Sequence, residues 1–502
     1  MDRGRLVIKN TLWDIVYYAT IIILGFLAPK YIVQFYGSEV NGLSASINQI
    51  LNVIMLLQAG AVTAALYSIY KPVSNNNIPE ICYRYTSSVK YFRKISYTFL
   101  AIMCMGAILS TMYIKSSLNV TNIFIAFIIL GFKSFLDILF TSKYRVIFTA
   151  YQQKFYLSVA LMLEHIFYYG FVFITIGFRW NFLFLFVSML AGCVVKIVYL
   201  YFIKQRKYPE IKELKGKDIP ANVSGKNYAL ANEVAHSLAT SSIAIIISFL
   251  YGLEETSIYS IYMLVFSAIH LILISFSSSF GPSFANLYAT GDIKGASKVF
   301  NIFCWTFDVF STVMLISAYC LISPFVNLYI GNESDICYYA PKLALYCTLI
   351  SIFYAYRLPY NILVSSCGFF KETWLQPCLS FIVSLAISII AGKYDYTYIT
   401  FGPLFFYFTN YLYQVLKLKS LMPQIVSFKT FMRLAVTLIC LIISIYFTQW
   451  YIIDYSFIHW IGISLIVTIC CFVFVVATNY IVDKQSLNAV YAYIQNKIKK
   501  RK

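Results

Sequence analysis

The chain has 502 residues, of which 60% are hydrophobic and only 12% are charged, about half the charged fraction of ordinary soluble domains. So little polar surface excludes a soluble protein of this size, and the apolar content excludes intrinsic disorder. The long apolar stretches are continuous, whereas strands of a transmembrane β-barrel alternate apolar and polar residues. The composition therefore predicts an all-α polytopic membrane protein.

Fourteen apolar stretches reach the roughly 20 residues that a helix needs to cross a bilayer. In chain order they occupy residues 11–33, 42–69, 91–114, 121–141, 156–177, 181–203, 228–250, 257–287, 299–330, 341–364, 374–392, 399–416, 434–452 and 458–480. The second, eighth and ninth are the longest, so we expect them to tilt or break. The first lacks a signal-peptide cleavage sequence and is expected to remain as the first helix.

The distribution of Lys and Arg predicts the orientation, because cytoplasmic loops of membrane proteins carry an excess of both residues. With the N-terminus inside, 31 of the 39 Lys and Arg residues fall on inner segments and 5 on outer loops. We therefore expect both termini in the cytoplasm. The same bias accounts for the net charge of +19, and no nucleic-acid partner is expected.

The longest inner connection predicts a division into lobes. It spans residues 204–227, is basic, and separates the sixth and seventh predicted helices. We expect an N-terminal lobe at 1–203, a cytoplasmic linker at 204–227 and a C-terminal lobe at 228–416. Two further helices follow at 417–480, and a basic cytoplasmic tail occupies 481–502.

One inner segment, Glu80–Lys94, has the pattern of an amphipathic helix. Its apolar residues recur at helical spacing with basic residues between them, and they are Ile81, Tyr85, Val89 and Phe92. The pattern predicts a helix that lies on the membrane surface, with an ordinary basic turn as an equal alternative.

The two halves of the chain share a repeat. Lys9-Asn10 opens the first helix and Lys226-Asn227 the seventh, and a Tyr-Gly-x-Glu sequence ends each, at Tyr36–Glu39 and Tyr251–Glu254. The octapeptides GAVTAALY, starting at Gly60, and GPSFANLY, starting at Gly281, then carry Gly, Ala, Leu and Tyr at the same offsets. Because six helices separate the copies, the two lobes would be related by an axis along the membrane normal.

These features resemble a known family. The basic residues before the first helix, the sequence YGSEVNGLSASINQI leading into a polar second helix, and GAVTAALYSIY at its end are similar to bacterial polysaccharide flippases of the Wzx type. That family belongs with the MATE exporters and the lipid II flippase MurJ. The resemblance covers essentially the whole chain and implies two six-helix lobes around a central cavity, with two extra C-terminal helices.

The resemblance also implies a function. It implies translocation of an undecaprenyl-pyrophosphate-linked oligosaccharide across the bacterial inner membrane by alternating access, for cell-surface polysaccharides such as lipopolysaccharide. Membrane lipids and a coupling proton or sodium ion are the other partners expected.

Ionisable groups at membrane depth are costly, so they tend to be paired or functional. Lys133 and Asp137 are four residues apart on the fourth helix and Glu164 is midway along the fifth, which fits either a buried ion pair or a cavity wall that meets a phosphate. Lys196 is close enough to the inner surface to snorkel. Arg357 fits either a structural role or a two-point contact with phosphate oxygens.

Two sets of candidate residues follow. Candidate substrate contacts are Lys133, Arg357, Lys196, Lys30, Asn48, Asn52 and Gln58. Candidates for tuning charge or coupling an ion are Asp14, Asp137, Glu164, Glu233, His236 and Asp308. The amides are suited to bind sugar hydroxyls, but they are equally suited to hydrogen bonds between helices. Asp14 is equally explained by its position near the N-terminus of the first helix, where the helix dipole stabilises an acid.

Other functions are less favoured. An ion-coupled MATE-type exporter of small organic cations needs net negative charge, whereas Lys133, Lys196 and Arg357 favour an anionic substrate. A membrane glycosyltransferase or polysaccharide polymerase needs catalytic acids near a membrane surface, and the outer loops are short. We expect no enzyme activity, no cofactor and no metal, because there is no P-loop and the twelve cysteines form no Cys-x-x-Cys pair.

The predicted topology can be tested with reporter fusions. Fusions after Lys207 and after Lys497 should both report a cytoplasmic location, because both follow strongly basic segments. A fusion within Gly331–Pro341, a predicted outer loop, is the matched control. A periplasmic signal at Lys207 or Lys497 contradicts the topology.

Overall fold

The computed structural model describes residues 3–58, 60–214, 227–331, 334–449 and 456–482, and every regular element within these ranges is a helix. The first eight are α1 (Arg3–Tyr36), α2 (Ser38–Met55), α3 (Ala61–Ser74), α4 (Ile78–Tyr113), α5 (Val120–Leu136), α6 (Ser142–Ala150), α7 (Phe155–Gly177) and α8 (Leu183–Lys207). The other ten are α9 (Asn227–Leu250), α10 (Leu253–Ser278), α11 (Gly281–Ala289), α12 (Ile293–Ile330), α13 (Pro341–Cys367), α14 (Phe370–Thr373), α15 (Leu375–Ala391), α16 (Phe401–Leu421), α17 (Lys429–Gln449) and α18 (Phe457–Val482). The predicted all-α fold is confirmed.

Helices occupy all fourteen predicted spans. Among the described residues, twelve helices are long and apolar enough to cross a membrane. The exceptions are α13 and α16, which fill the predicted spans 341–364 and 399–416. Of the 27 residues of α13, 17 are buried, including Arg357. A helix enclosed by protein needs less apolar surface than one facing lipid, which accounts for the more polar composition of α13.

Two of the three longest predicted spans break, and the third does not. The second divides into α2, a 3-10 turn at Leu56–Gln58 and α3, and the eighth divides into α10 and α11. The ninth is α12, a single helix of 38 residues that contains Pro324 without breaking there. At 1.5 Å per residue it is about 57 Å long, well beyond the roughly 30 Å of bilayer hydrocarbon.

The repeated sequence motifs coincide with equivalent breaks. Gly37 separates α1 from α2 with φ of 86°, and Gly252 precedes α10 with φ of 137°. Both values lie in the left-handed region, which favours glycine. The octapeptides that start at Gly60 and Gly281 each provide a short separate helix, α3 and α11.

The chain forms two compact units, residues 1–257 and 258–502. Within the first unit, α9 and the start of α10 are bonded to α2. The Asn41 side-chain amide donates to Ser257 Oγ over 2.7 Å, and Ser46 Oγ donates to Ser248 Oγ over 2.9 Å. The lobes at 1–203 and 228–416 stay a prediction. Linker residues 215–226 and tail residues 483–502 lie outside the described residues.

The described start of the predicted linker packs onto the first unit. Ile211 is fully buried, and the ring of Tyr208 lies 4.4 Å from that of Tyr151. Burial raises the pKa of the Tyr208 phenol above its usual range. Lys143 Nζ donates to a Glu213 carboxylate oxygen over 3.1 Å. The connection after α8 is therefore part of this unit as far as residue 214.

The surface-lying helix predicted at Glu80–Lys94 is wrong. The segment is the first part of the continuous helix α4. Its apolar residues Ile81, Tyr85, Val89 and Phe92 are all buried in the core of the first unit. The amphipathic pattern therefore reflects contact with protein rather than with lipid head groups, since both surroundings bury the same helical face.

Gly42 provides a stability test of the packing between α2 and α10. A β-carbon at Gly42 would collide with the backbone carbonyl of Leu253, whereas one at Gly170 on α7 would meet open space. Gly42→Ala should lower the free energy of unfolding by about 1–3 kcal/mol, as overpacking does. Gly170→Ala, the matched control, should raise it by up to about 1 kcal/mol through helix propensity. Thermal unfolding in detergent measures both, and equal effects contradict the packing described.

Candidate functional site

Four charged side chains meet within the first unit. Lys196 Nζ on α8 lies 2.6 Å from Asp137 Oδ1 and 2.7 Å from Glu164 Oε2. Lys133 Nζ on α5 lies 3.4 Å from Glu164 Oε1. Two lysines and two carboxylates therefore form one balanced ion cluster at membrane depth.

Local backbone geometry brings these side chains together. Asp137 begins a π-turn at Asp137–Thr141 that follows α5, an irregularity often found at functional sites. A β-carbon at Gly192 would collide with the backbone carbonyl of Glu164. Glycine at this position therefore lets α8 approach α7 closely enough for Lys196 to reach Glu164.

The four groups differ in exposure. The side chains of Lys196 and Glu164 are only 3% and 7% exposed, whereas that of Lys133 is 32% exposed. Lys196 therefore does not snorkel to the surface, because both acids hold it in the interior. Lys133 has the longest ion-pair distance of the cluster and is its open member.

On α1, two of the candidate residues are half-buried. Asp14 accepts a hydrogen bond from Ser158 Oγ on α7, and the side-chain amide of Asn10 donates to the Gln152 carbonyl over 3.0 Å. These bonds attach the beginning of α1 to α7. Lys30 lies further along α1 and is half-buried as well.

The candidate amides of the second predicted span do not form a single site. Asn48 donates to the Ser44 carbonyl of its own helix over 2.8 Å, and Asn52 is exposed. Gln58 lies in the 3-10 turn and accepts from Ser142 Oγ over 3.2 Å. Of the three, Gln58 is the one bonded to the segment beside the ion cluster.

The remaining candidates are on α9 and in the second unit. On α9, Glu233 is exposed and His236 is half-buried. In the second unit, Arg357 is 4% exposed, with its guanidinium carbon 5.7 Å from the centre of the Tyr354 ring and 5.8 Å from that of Tyr407.

Asp308 belongs to a buried network in the second unit. Its carboxylate accepts from Arg433 Nη1 over 2.8 Å. One turn further along each helix, the Thr312 and Thr437 hydroxyls are 2.7 Å apart, and Tyr356 Oη lies 2.7 Å from Thr437. These contacts bond α17 to α12 and α13.

Arg433 directly precedes the predicted span 434–452, so hydropathy alone places it on an inner segment. In the structure it lies on the second turn of α17 and is buried with Asp308. The sequence signal for this contact is Asp308 itself, because an acid at membrane depth on the ninth predicted span requires a cation from another helix.

An apolar cavity of about 510 Å³ lies between α12, α17 and α18. Its lining residues are Ile316, Cys320, Leu321, Cys440, Ile443, Ser444, Phe447, Thr448, Ile466, Val467, Cys470, Cys471, Phe474 and Val475. Phe447 and Ile466 are also largely exposed, so the cavity opens at the protein surface.

No family model and no curated protein matches the chain, but solved structures do. The lipid II flippase MurJ, in an inward closed conformation, matches with a TM-score of 0.63 at 16% identity, over 94% of this chain and 99% of its own. A multidrug resistance MATE family transporter of the MOP superfamily, in an inward-facing conformation, matches with a TM-score of 0.61 at 13% identity. That match covers 82% of this chain and 98% of the transporter. A MOP superfamily transporter from Pyrococcus furiosus matches with a TM-score of 0.54 at 11% identity, over 84% of this chain and 97% of its own.

The chain has the fold shared by MurJ and the MATE transporters. The MurJ alignment leaves about 30 residues of this chain unmatched. Because α17 and α18 together contain more residues than that, the alignment must extend into at least part of these two helices. The MATE alignment leaves about 90 residues unmatched, which is enough to omit both.

The ion cluster predicts a strong stability effect at Lys196. Lys196→Met removes the cation that Asp137 and Glu164 share, and breaking a buried ion pair from one side costs about 3–5 kcal/mol. Arg84→Met is the matched control, because Arg84 forms an exposed pair with Glu80 on α4 worth at most about 0.5 kcal/mol. Thermal unfolding of both variants measures the difference, and similar losses contradict the buried role of Lys196.

Proposed function

We propose that this protein is a flippase that moves an undecaprenyl-pyrophosphate-linked oligosaccharide across the bacterial inner membrane by alternating access. Its product would supply cell-surface polysaccharide synthesis. The observation that carries the proposal is the ion cluster with Lys133 as its open member. The fold shared with MurJ and MATE proteins supports a transporter rather than an enzyme, and the charge bias of the loops supports cytoplasmic termini.

The cluster is suited to exchanging one anion for another. Lys133 is a third exposed, and among the described residues the carboxylate within ion-pair distance of it is that of Glu164, at 3.4 Å. If a phosphate oxygen replaces Glu164 as the partner of Lys133, Glu164 keeps its shorter contact with Lys196 at 2.7 Å. Releasing Lys133 therefore leaves no carboxylate unpaired, which keeps the cost of binding an anionic head group low.

The apolar cavity between α12, α17 and α18 supports a lipid-linked substrate. Its lining is almost entirely apolar, and it opens at the protein surface beside the exposed side chains of Phe447 and Ile466. An isoprenoid chain that moves from lipid tails into an apolar cavity stays in apolar surroundings, so a cavity of this kind accommodates the tail through van der Waals contacts. We assign it to the undecaprenyl chain of the proposed substrate.

The other candidate roles remain part of the proposal. The amides of Asn48, Asn52 and Gln58 and the side chain of Lys30 are proposed contacts for the glycan or its head group. Asp14, Glu233, His236 and Asp308 are proposed to tune charge or to couple a proton or sodium ion. The lobes at 1–203 and 228–416 are the proposed moving parts, with membrane lipids around them.

The second candidate function is an ion-coupled exporter of small molecules, which the shared MATE fold favours. A site for an organic cation requires an excess of carboxylates. The cluster instead contains two lysines and two carboxylates, and its open member is a cation. An anionic substrate therefore fits this site better.

Charge removal at Lys133 and Arg357 tests the proposal in a flippase-null strain. Lys133→Ala and Arg357→Ala should insert and fold, yet restore less than about a tenth of the surface glycan, because each loses a charge-assisted contact to phosphate. Lys133→Arg should be partly tolerated, and Arg357→Lys tolerated less if a two-point contact is lost. Surface glycan is measured by immunoblot against equal amounts of membrane-inserted protein.

Lys94→Ala is the matched control, because Lys94 is an exposed cation on α4. This variant should restore wild-type glycan levels. If Lys133→Ala restores as much glycan as Lys94→Ala, Lys133 is a structural charge and the proposal loses the observation that carries it.

A further inference from the structure

The boundary between the two compact units differs by one helix from the boundary of the sequence repeat. The second copy of the repeat starts at Lys226-Asn227, which assigns α9 to the predicted C-terminal lobe. The structure instead includes α9 and the start of α10, as far as Ser257, in the first unit. The helix that opens the second repeat is therefore packed on helices of the first repeat.

Hydroxyl groups and close packing join α2 to α9 and to the start of α10. Ser46 Oγ donates to Ser248 Oγ over 2.9 Å, and both side chains are fully buried. The side-chain amide of Asn41 donates to Ser257 Oγ over 2.7 Å. The backbones approach so closely here that a side chain at Gly42 would have no room. These hydrogen bonds join neutral groups, in contrast to the ion cluster of the same unit.

A loop residue of the first repeat caps the end of α9. The last carbonyl groups of an α-helix have no partner within the helix. Lys115, between α4 and α5, donates its backbone N–H to the Ser248 carbonyl over 3.3 Å and its Nζ to the Leu250 carbonyl over 2.6 Å. In the same loop, the backbone N–H and the hydroxyl of Ser117 donate to the Glu39 carboxylate over 2.8 Å and 2.6 Å. The loop therefore holds the beginning of α2 and the end of α9 together.

The strength of these contacts is suited to a reversible connection. One hydrogen bond between transmembrane helices changes an equilibrium by only about threefold on average, the equivalent of about 0.6 kcal/mol. Breaking a buried ion pair from one side changes an equilibrium by more than about a hundredfold. The contacts between α2 and α9 can therefore open under conditions in which the ion cluster stays closed.

Separation of the two helices also leaves their polar groups with other partners. Ser248 Oγ already donates to the Ile245 carbonyl of its own helix over 2.9 Å. A helical serine such as Ser46 can donate to a carbonyl one turn earlier in its own helix. Lys115 is exposed, so water can replace it at the end of α9. The cost of opening is therefore limited to weak contacts and packing.

We propose that these contacts form a latch, and that α9 with the start of α10 moves away from α2 when the outer side of the protein opens. The latch consists of Asn41, Ser46 and Lys115 on one side and Ser248, Leu250 and Ser257 on the other. In the predicted topology the α1–α2 turn, the α4–α5 loop and the α9–α10 turn all lie on the outer side. The inference rests on the proposed function for alternating access, and it adds the helix that switches.

A reversible cross-link tests the latch in a flippase-null strain. The double variant Ser46→Cys/Ser248→Cys places two thiols where the hydroxyl oxygens are 2.9 Å apart, so a disulfide should form. Oxidation by copper phenanthroline, which accepts the two electrons, should lower newly labelled surface glycan to less than about a tenth, because the closed state cannot open. Reduction with dithiothreitol should restore export.

The single variants Ser46→Cys and Ser248→Cys are the matched controls for this cross-link. Each keeps the 12 native cysteines, and neither can form the new disulfide, so the oxidant should leave their export unchanged. The cross-linked fraction is measured by mass spectrometry. Export by cross-linked protein at the level of the single variants overturns the inference, and so does a double variant that forms no disulfide.

A labelling experiment measures opening without reference to any substrate. In the Ser248→Cys background, a membrane-impermeant maleimide added outside the cell should react at position 248 only when the latch is open. Adding Lys115→Met should accelerate this labelling about threefold, the effect of one lost hydrogen bond. Adding Lys393→Met is the matched control, because Lys393 is an exposed lysine of another predicted outer loop.

Equal labelling rates in these two double variants overturn the inference. Glycan export is scored separately in the same cells. Faster labelling with Lys115→Met in a protein that exports no glycan rejects the flippase proposal alone. Export that continues in the cross-linked protein rejects the latch alone.

Discussion

The structure depends on one constraint, which is that a charge inside the bilayer must find its counter-charge within the protein. Water is absent there, so each unpaired charge costs several kcal/mol. Lys196 illustrates the solution, since two carboxylates from two other chain segments hold it while 3% of its side chain remains exposed. The close approach of α7 and α8 at Gly192 and the π-turn at Asp137 both serve this contact.

The two units meet the constraint in different ways. The first joins two lysines and two carboxylates into a cluster with one open cation, whereas the second closes Asp308 and Arg433 into a fully buried pair. Threonine and tyrosine hydroxyls extend that pair across α12, α13 and α17. Arg357 is accommodated by a third means, the faces of two tyrosine rings. A closed pair suits stability, and an open cation suits reversible contact with an anion.

Charge and apolar surface each support the amphiphilic substrate of the proposed function. The open lysine offers an electrostatic contact, and the cavity beside α17 and α18 offers an apolar one. Two of the three helices that line the cavity, α17 and α18, lie beyond the internal repeat, and the alignment with MurJ extends into them. The lipid-linked phosphate that we propose as the substrate has a group for each kind of contact.

The sequence by itself determined the helices, because hydropathy and loop charge are local properties of the chain. It located fourteen helical stretches, the helix ends at Gly37 and Gly252, and most of the charges at membrane depth. The tertiary structure alone decided which partners those charges have. Arg433 lies at the edge of a hydropathy stretch, and only the packing of α17 on α12 shows that it is buried with Asp308. Likewise the apolar face of Glu80–Lys94 is compatible with contact to lipid or to protein. Only the folded structure shows that this face packs into the protein core.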